Sequence, residues 1–383
     1  MKKNNIKCGL LILIIGVVIF VVTLKLYWLL LLVLFFVGIF YSLFRIINSI
    51  TNEVIKRVFR FILIVFAIFT STITFRIFLL DLYKIPSDSM KDTLSKGDVI
   101  ILNKLAYGPR LPSSISEIPW INMWFPPKEV KSKDMSNINC NNIRFHGTTN
   151  IKQGDIVVFN TLSWKKNDFV FKETLVKRCV GLAGDKIEII NGEIYTNNIQ
   201  YNNPKEVKNN WLVWVNNKDF FLHQLDSLSL RAELLNILPS DRKFVLNSSY
   251  IDISIIKKFN SVDSIKIEIE NKNRTDWLLG KKYAPNFSLD NMGPFKIPQK
   301  NMEIELNNFN YSIYENILNL YEKINFKKNN GKFYLNNEEV SNYIFKNDYY
   351  FMMGDNRKQS YDSRMYGFIP IENIIGKISS VVH

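Results

Sequence analysis

The chain has 383 residues, 47% hydrophobic and 14% aromatic, which is ample for a core and too long for one minimal domain. Lys and Arg total 49 against 35 Asp and Glu, a net charge of +14. The basic residues flank apolar segments or stand singly, with no dense basic tract interleaved with aromatics, so a nucleic-acid partner is excluded and the charge reads as membrane-facing or solubilising.

In chain order, residues 8–44 come first, apolar almost without interruption except at Lys25, nearly twice the ~20 residues that cross a bilayer once. Splitting the run at Lys25-Leu26-Tyr27-Trp28 gives spans of about 9–24 and 27–44, with snorkelling and interfacial side chains at the turn. A third span is expected at about 59–75. Arg45, Lys56, Arg57 and Arg60 mark the loop before it as cytoplasmic, and Lys2, Lys3 and Lys7 agree. Three crossings leave everything after Arg76 on the far side. A cleaved secretory signal is the rival reading of the first span, but the run continues into a second span and no small-x-small site follows.

After Lys84 the patterns are short and β-like, at 98–103, 154–159, 175–180 and 186–190, and predict antiparallel sheets or a partly closed barrel. Asn191-Gly192 and Asn330-Gly331, each followed by a strand-like run, predict tight hairpins. The proline-rich stretch 109–150, with Trp120 and Trp124, suits an extended surface segment touching the bilayer interface. The 202–329 stretch, with a helix expected near 313–324, reads as an accessory α+β insertion. The expected organisation is thus a membrane anchor over 1–82, a mostly β water-facing domain over 83–201 and 330–383, and the insertion over 202–329.

The three cysteines are Cys8, Cys140 and Cys179, without zinc spacing, and no metal or cofactor is expected. A Cys140–Cys179 bridge stays open, although Cys179 sits in an apolar strand pattern where a buried free thiol is commoner.

Ser87 and Ser89 flank Asp88 after Ile85-Pro86, and in an extended strand they point to one face, where one can attack and the other donate a hydrogen bond. Alone, the pair reads as a solvated turn, because Ser-x-Ser is common in loops. Lys177 lies between apolar neighbours, where burial would lower its pKa as a general base requires. The competing reading is an edge-strand lysine whose amine reaches water. A third run, 352–364, crowds charged, amide and hydroxyl side chains behind the aromatic strand of Tyr349, Tyr350 and Phe351, as a hydrogen-bonded network or a surface loop.

Together the stretches 85–105, 154–159, 177–185 and 349–367, in that order, resemble the bacterial type I signal peptidases, membrane-bound Ser/Lys endopeptidases. The resemblance implies Ser89 as nucleophile, Lys177 as general base, and the Ser87 hydroxyl with the Ser89 amide as oxyanion hole. It further implies that Ser360 hydrogen-bonds the Lys177 amine and that Asp355, Asp362 and Arg364 form ion-paired support. Ile85, Pro86, Met90, Leu94 and Val176 resemble the residues of the family's pockets for small side chains. Asp92 and Ala183 stand where the family commonly has proline, which loosens two turns without touching a catalytic atom. The partners implied are preprotein signal peptides, the lipid bilayer and the translocation machinery, with the catalytic part on the outer face of the cytoplasmic membrane. A Ser/Lys autoprotease fused to a repressor would need a DNA-binding region in place of the spans. The remaining alternative is a catalytically silent, membrane-anchored homologue that acts as a binding protein.

Overall fold

The computed structural model describes residues 16, 19, 21–125, 130–131, 143–165, 169–228, 230–238, 242–270, 278–280 and 284–382. Two long helices open it, α1 (Tyr27–Asn48) and α2 (Glu53–Phe78), each long and apolar enough to cross a membrane, and both leave their apolar side chains largely exposed. Asn52 starts α2 by accepting hydrogen bonds from the Val54 and Ile55 amides, and Glu53 follows in the first turn. The expected turn falls at Leu24 and Lys25, where Lys25 has φ of 57°. Of the first predicted span, Gly16, Ile19 and Val21 to Thr23 are helical, and the rest lies outside the described residues.

The remainder is mostly antiparallel sheet. Its first strands are β1 (Leu80–Lys84), β2 (Val99–Asn103), β3 (Ile156–Lys165) and the long β4 (Phe169–Gly181). A hairpin follows, β5 (Lys186–Ile190) and β6 (Glu193–Thr196), turning at Asn191 and Gly192 with φ of 50° and 82° as the sequence predicts. Next come β7 (Lys208–Val215), α3 (Lys218–Ser227), β8 (Glu233–Ile237), β9 (Lys243–Ser249), α4 (Tyr250–Ile256), β10 (Val262–Ile267) and β11 (Met292–Lys296). Helix α5 (Asn308–Leu320) starts five residues before the expected 313–324 helix, because Asn307 caps it by accepting from the Asn310 amide. The chain ends with β12 (Tyr349–Met353) and β13 (Ile374–Val382).

The main sheet runs β1-β2-β13-β3-β4-β12, with Ile369–Pro370 beyond β12. No pairing among the described residues returns from that edge to β1, so the sheet is open rather than a closed barrel. A second sheet, β8-β9-β7-β10, is formed wholly by residues 208–267.

Apolar residues of the 202–329 stretch fall into two cores. Trp211, Val213, Phe221, Phe244, Leu246 and Ile256 fill one between the second sheet and helices α3 and α4. Ile313, Tyr314, Ile317 and Phe326 instead join Val180, Phe351 and Phe368 in the largest core. Burial of these faces drives both sheets to pack. At the end of the helical pair next to the sheets, the Trp28 ring lies 5.7 Å from that of Phe78 and 5.0 Å from that of Phe145, and Trp28 Nε1 donates to the His146 carbonyl at 3.1 Å. Trp120 stacks on Phe69 of α2 at 5.5 Å.

Cys179 is a buried free thiol, and burial raises its pKa; Cys140 lies outside the described residues.

Candidate active site

Strand β1 ends at Lys84 and Pro86 holds the chain extended, but the extended backbone stops at Ser87 (φ −142°, ψ 165°), which leads into a single 3-10 turn, Asp88–Met90. The expectation that both serines share a strand face is therefore corrected: short Ser and Asp side chains favour turns over ladders. The turn still brings the two hydroxyl oxygens to 3.4 Å.

Lys177 sits opposite Val157 in the interior of the main sheet, in β4, and is only 2% exposed. It does not reach water from an edge. Its Nζ lies 2.5 Å from Ser89 Oγ, across 88 residues of sequence. Burial pushes the amine's pKa down to about 8, against the opposing pull of the Asp362 and Glu173 carboxylates.

The 352–364 run is a buried network rather than a surface loop. Asp355 accepts from Arg178 Nε at 2.9 Å and Nη2 at 2.6 Å, and from Thr93 Oγ1 at 2.6 Å. Asp362 takes both arms of Arg364 at 2.8 Å each, caps the helix Ser363–Tyr366 and accepts from the Gly354 amide at 3.2 Å. Burial opposes the Asp362 carboxylate, yet the Arg364 guanidinium outweighs it and holds the pKa below the usual range. Gly354 must be glycine, since a Cβ there would lie 2.1 Å from Ser360 Oγ and 2.6 Å from the Ser89 carbonyl oxygen. That close approach lets the Asn356 amide donate to the Ser89 carbonyl at 3.0 Å, while Asn356 Nδ2 donates to the Asp88 carbonyl at 3.2 Å.

Two expectations change. Ser360 is buried beside Gly354, but its Oγ has no hydrogen-bond partner among the described residues; it faces the glycine, and the Lys177 amine is engaged by Ser89 instead. Of the five residues expected to line substrate pockets, Pro86 is exposed and Val176 half-buried. Ile85, Met90 and Leu94 are buried with Ile100, Leu102 and Val158 and support the turn from beneath. Met90 Sδ also accepts from the Asp355 amide at 3.3 Å. Sequence reasoning missed Thr93 as a contact of the site, and it marked Asn356 only as a member of the 352–364 run.

A hydroxyl held against a buried, readily neutralised amine, with a second hydroxyl alongside, can perform acyl transfer.

A model of the protein family described as signal peptidase, peptidase S26, matches residues 55–252 and 292–383. Signal peptidase I of Buchnera aphidicola subsp. Schizaphis graminum is 26% identical over 338 residues, covering 88% of this chain and 78% of its own. Signal peptidase I of Helicobacter pylori strain J99 is 23% identical over 299 residues, 78% of this chain and 73% of its own. A crystal structure of a signal peptidase I from Enterococcus faecalis aligns with 60% of this chain and 98% of its own, at 13% identity and a TM-score of 0.21.

Proposed function

The chain belongs to the signal peptidase family, peptidase S26, and from that premise we propose that it is a membrane-anchored Ser/Lys endopeptidase that removes N-terminal signal peptides from preproteins. The observation that carries the reading is the 2.5 Å approach of Ser89 Oγ to the buried Lys177 Nζ. A neutral Lys177 takes the Ser89 proton as Oγ bonds to the scissile carbonyl carbon. The Ser87 hydroxyl and the Ser89 amide stabilise the developing oxyanion, an interaction whose loss typically costs about 10²–10³ in rate. The scissile C–N bond then breaks, and Lys177 returns its proton to the leaving amine. Water, deprotonated by the same amine, releases the acyl group and frees Ser89.

Asp355, Asp362 and Arg364 act as support. The peptide lies extended beside the sheet, against Pro86 and Val176, as in strand addition.

The lipid bilayer holds α1 and α2. Arg45, Lys56, Arg57 and Arg60 cluster at the end of the helical pair away from the sheets, which supports a cytoplasmic loop and a catalytic part on the outer face. There, emerging signal peptides and the translocation machinery meet it.

The test is cleavage of a preprotein by the full chain in detergent or liposomes. Ser89→Ala and Lys177→Ala are each expected to abolish cleavage while the protein stays folded, and normal processing by either variant sinks the mechanism. An inactive wild type would favour the silent binding homologue.

A further inference from the structure

The turn that carries Ser89 is gripped from two sides, and the second grip comes from the sheet of residues 208–267. Strand β7 begins at Lys208, whose amide donates to the Asp355 carbonyl at 2.8 Å and whose carbonyl accepts from the Arg357 amide at 3.0 Å, a parallel bridge onto Asn356. Asn356 in turn holds the backbone of Asp88 and Ser89.

The Lys208 side chain is fully buried. Its Nζ donates to Glu233 Oε1 and to the Arg231 carbonyl, each at 3.1 Å, and lies 3.4 Å from Asp92 Oδ2, an ion pair without a hydrogen bond. Glu233, on the edge strand β8, reaches back to Lys91 Nζ at 2.5 Å. Two ammonium groups and two carboxylates thus alternate across the junction, and two of the four, Lys91 and Asp92, follow Ser89 within three residues. Asp92 has φ of 71°, in the left-handed region that a non-glycine residue occupies only when its surroundings hold it there. Proline, with φ fixed near −65°, cannot take that backbone.

Resting on the proposed peptidase activity, we propose that Lys208 is a positioning residue for Ser89. The sheet of residues 208–267 is then a working part of the site: through the Asp92 and Glu233 carboxylates it sets the conformation of residues 91–92, and through Asn356 it sets the carbonyl of Ser89. Lys208 touches neither substrate nor the reacting atoms.

The experiment measures kcat and KM of the full chain on a preprotein in detergent, normalised to folded protein by circular dichroism. Lys208→Met is expected to lower kcat tenfold or more with KM within threefold. Lys208→Arg, which keeps the charge, and the double variant Asp92→Asn with Lys208→Met, which removes the stranded carboxylate, are each expected to recover part of that loss. A purely structural lysine would reduce the folded fraction and leave normalised kcat alone, and that outcome overturns the proposal. If Lys208→Met does not fold, the half-exposed Glu233→Gln decides: a threefold or larger fall in kcat supports the proposal and an unchanged kcat overturns it. Wild-type turnover in the same assay separates the two ideas, because an inactive wild type sinks the peptidase reading, whereas an active one with an unaffected Lys208→Met sinks this inference.

Discussion

Lys177 carries an electrostatic cost that its position turns to use. Below about pH 8 the amine is charged in the folded and the unfolded chain alike, and the folded state bears the whole desolvation penalty. Between about 8 and its ordinary 10.5 the unfolded chain binds more protons, so stability rises with pH through that window. Activity follows the same proton: kcat/KM for preprotein cleavage is expected to climb about tenfold per pH unit on the acid side and to level off above about 8. A pH profile flat down to pH 6 would remove Lys177 from the role of base. At this scale the pairing of Ser89 with Lys177 came from four ordered stretches and the family they resemble, because a hydroxyl pair after a proline and a cation inside an apolar run are each ordinary on their own. That Ser360 Oγ finds no partner among the described residues was not legible, since its surroundings depend on ångström-level packing around Gly354 that no local pattern encodes.

Elements divide between those written locally and those decided at long range. Both Asn-Gly hairpins formed where expected, because Asn and Gly tolerate the left-handed backbone that such turns demand. Gly331 gives a clean test. Its φ is 83° and a Cβ there meets open space, so Gly331→Ala introduces backbone strain alone. A loss of roughly 1 kcal/mol in unfolding free energy is expected, and a variant as stable as wild type would show that the turn relaxes freely. A turn at Ser89 was legible in its short polar residues, but the bridge from Lys208 to Asn356 was not. It joins segments separated by more than 140 residues, where pairing is chosen by tertiary packing rather than by propensity.

For the molecule as a whole, the apolar surface continues from the helices onto the segment 115–125, which folds as 3-10 turns. Phe69, on which Trp120 stacks, lies nine residues before the end of α2, about 13 Å down the helix axis. Ile115, Met123, Trp124 and Phe125 are exposed in the same segment, with Trp124 83% exposed. Such a patch fits a membrane–water interface, where tryptophans concentrate. In a variant that keeps Trp124 as its single tryptophan, brominated lipids in liposomes are expected to quench the fluorescence strongly. Quenching no greater than with a water-soluble quencher would place the segment outside the bilayer. The membrane part was readable because hydropathy is a one-dimensional signal, whereas the division of residues 202–329 between two cores is not.

The strand order carries a further consequence, one of timing. β13, the latest strand of the main sheet in sequence, lies between β2 and β3, two of the earliest. Until residues 374–382 have been synthesised, β2 and β3 have no common neighbour, and Ser89 and Lys177, on opposite sides of that gap, have no scaffold to bring them together. The 2.5 Å contact between Ser89 Oγ and Lys177 Nζ therefore forms only once the last strand of the sheet has been made.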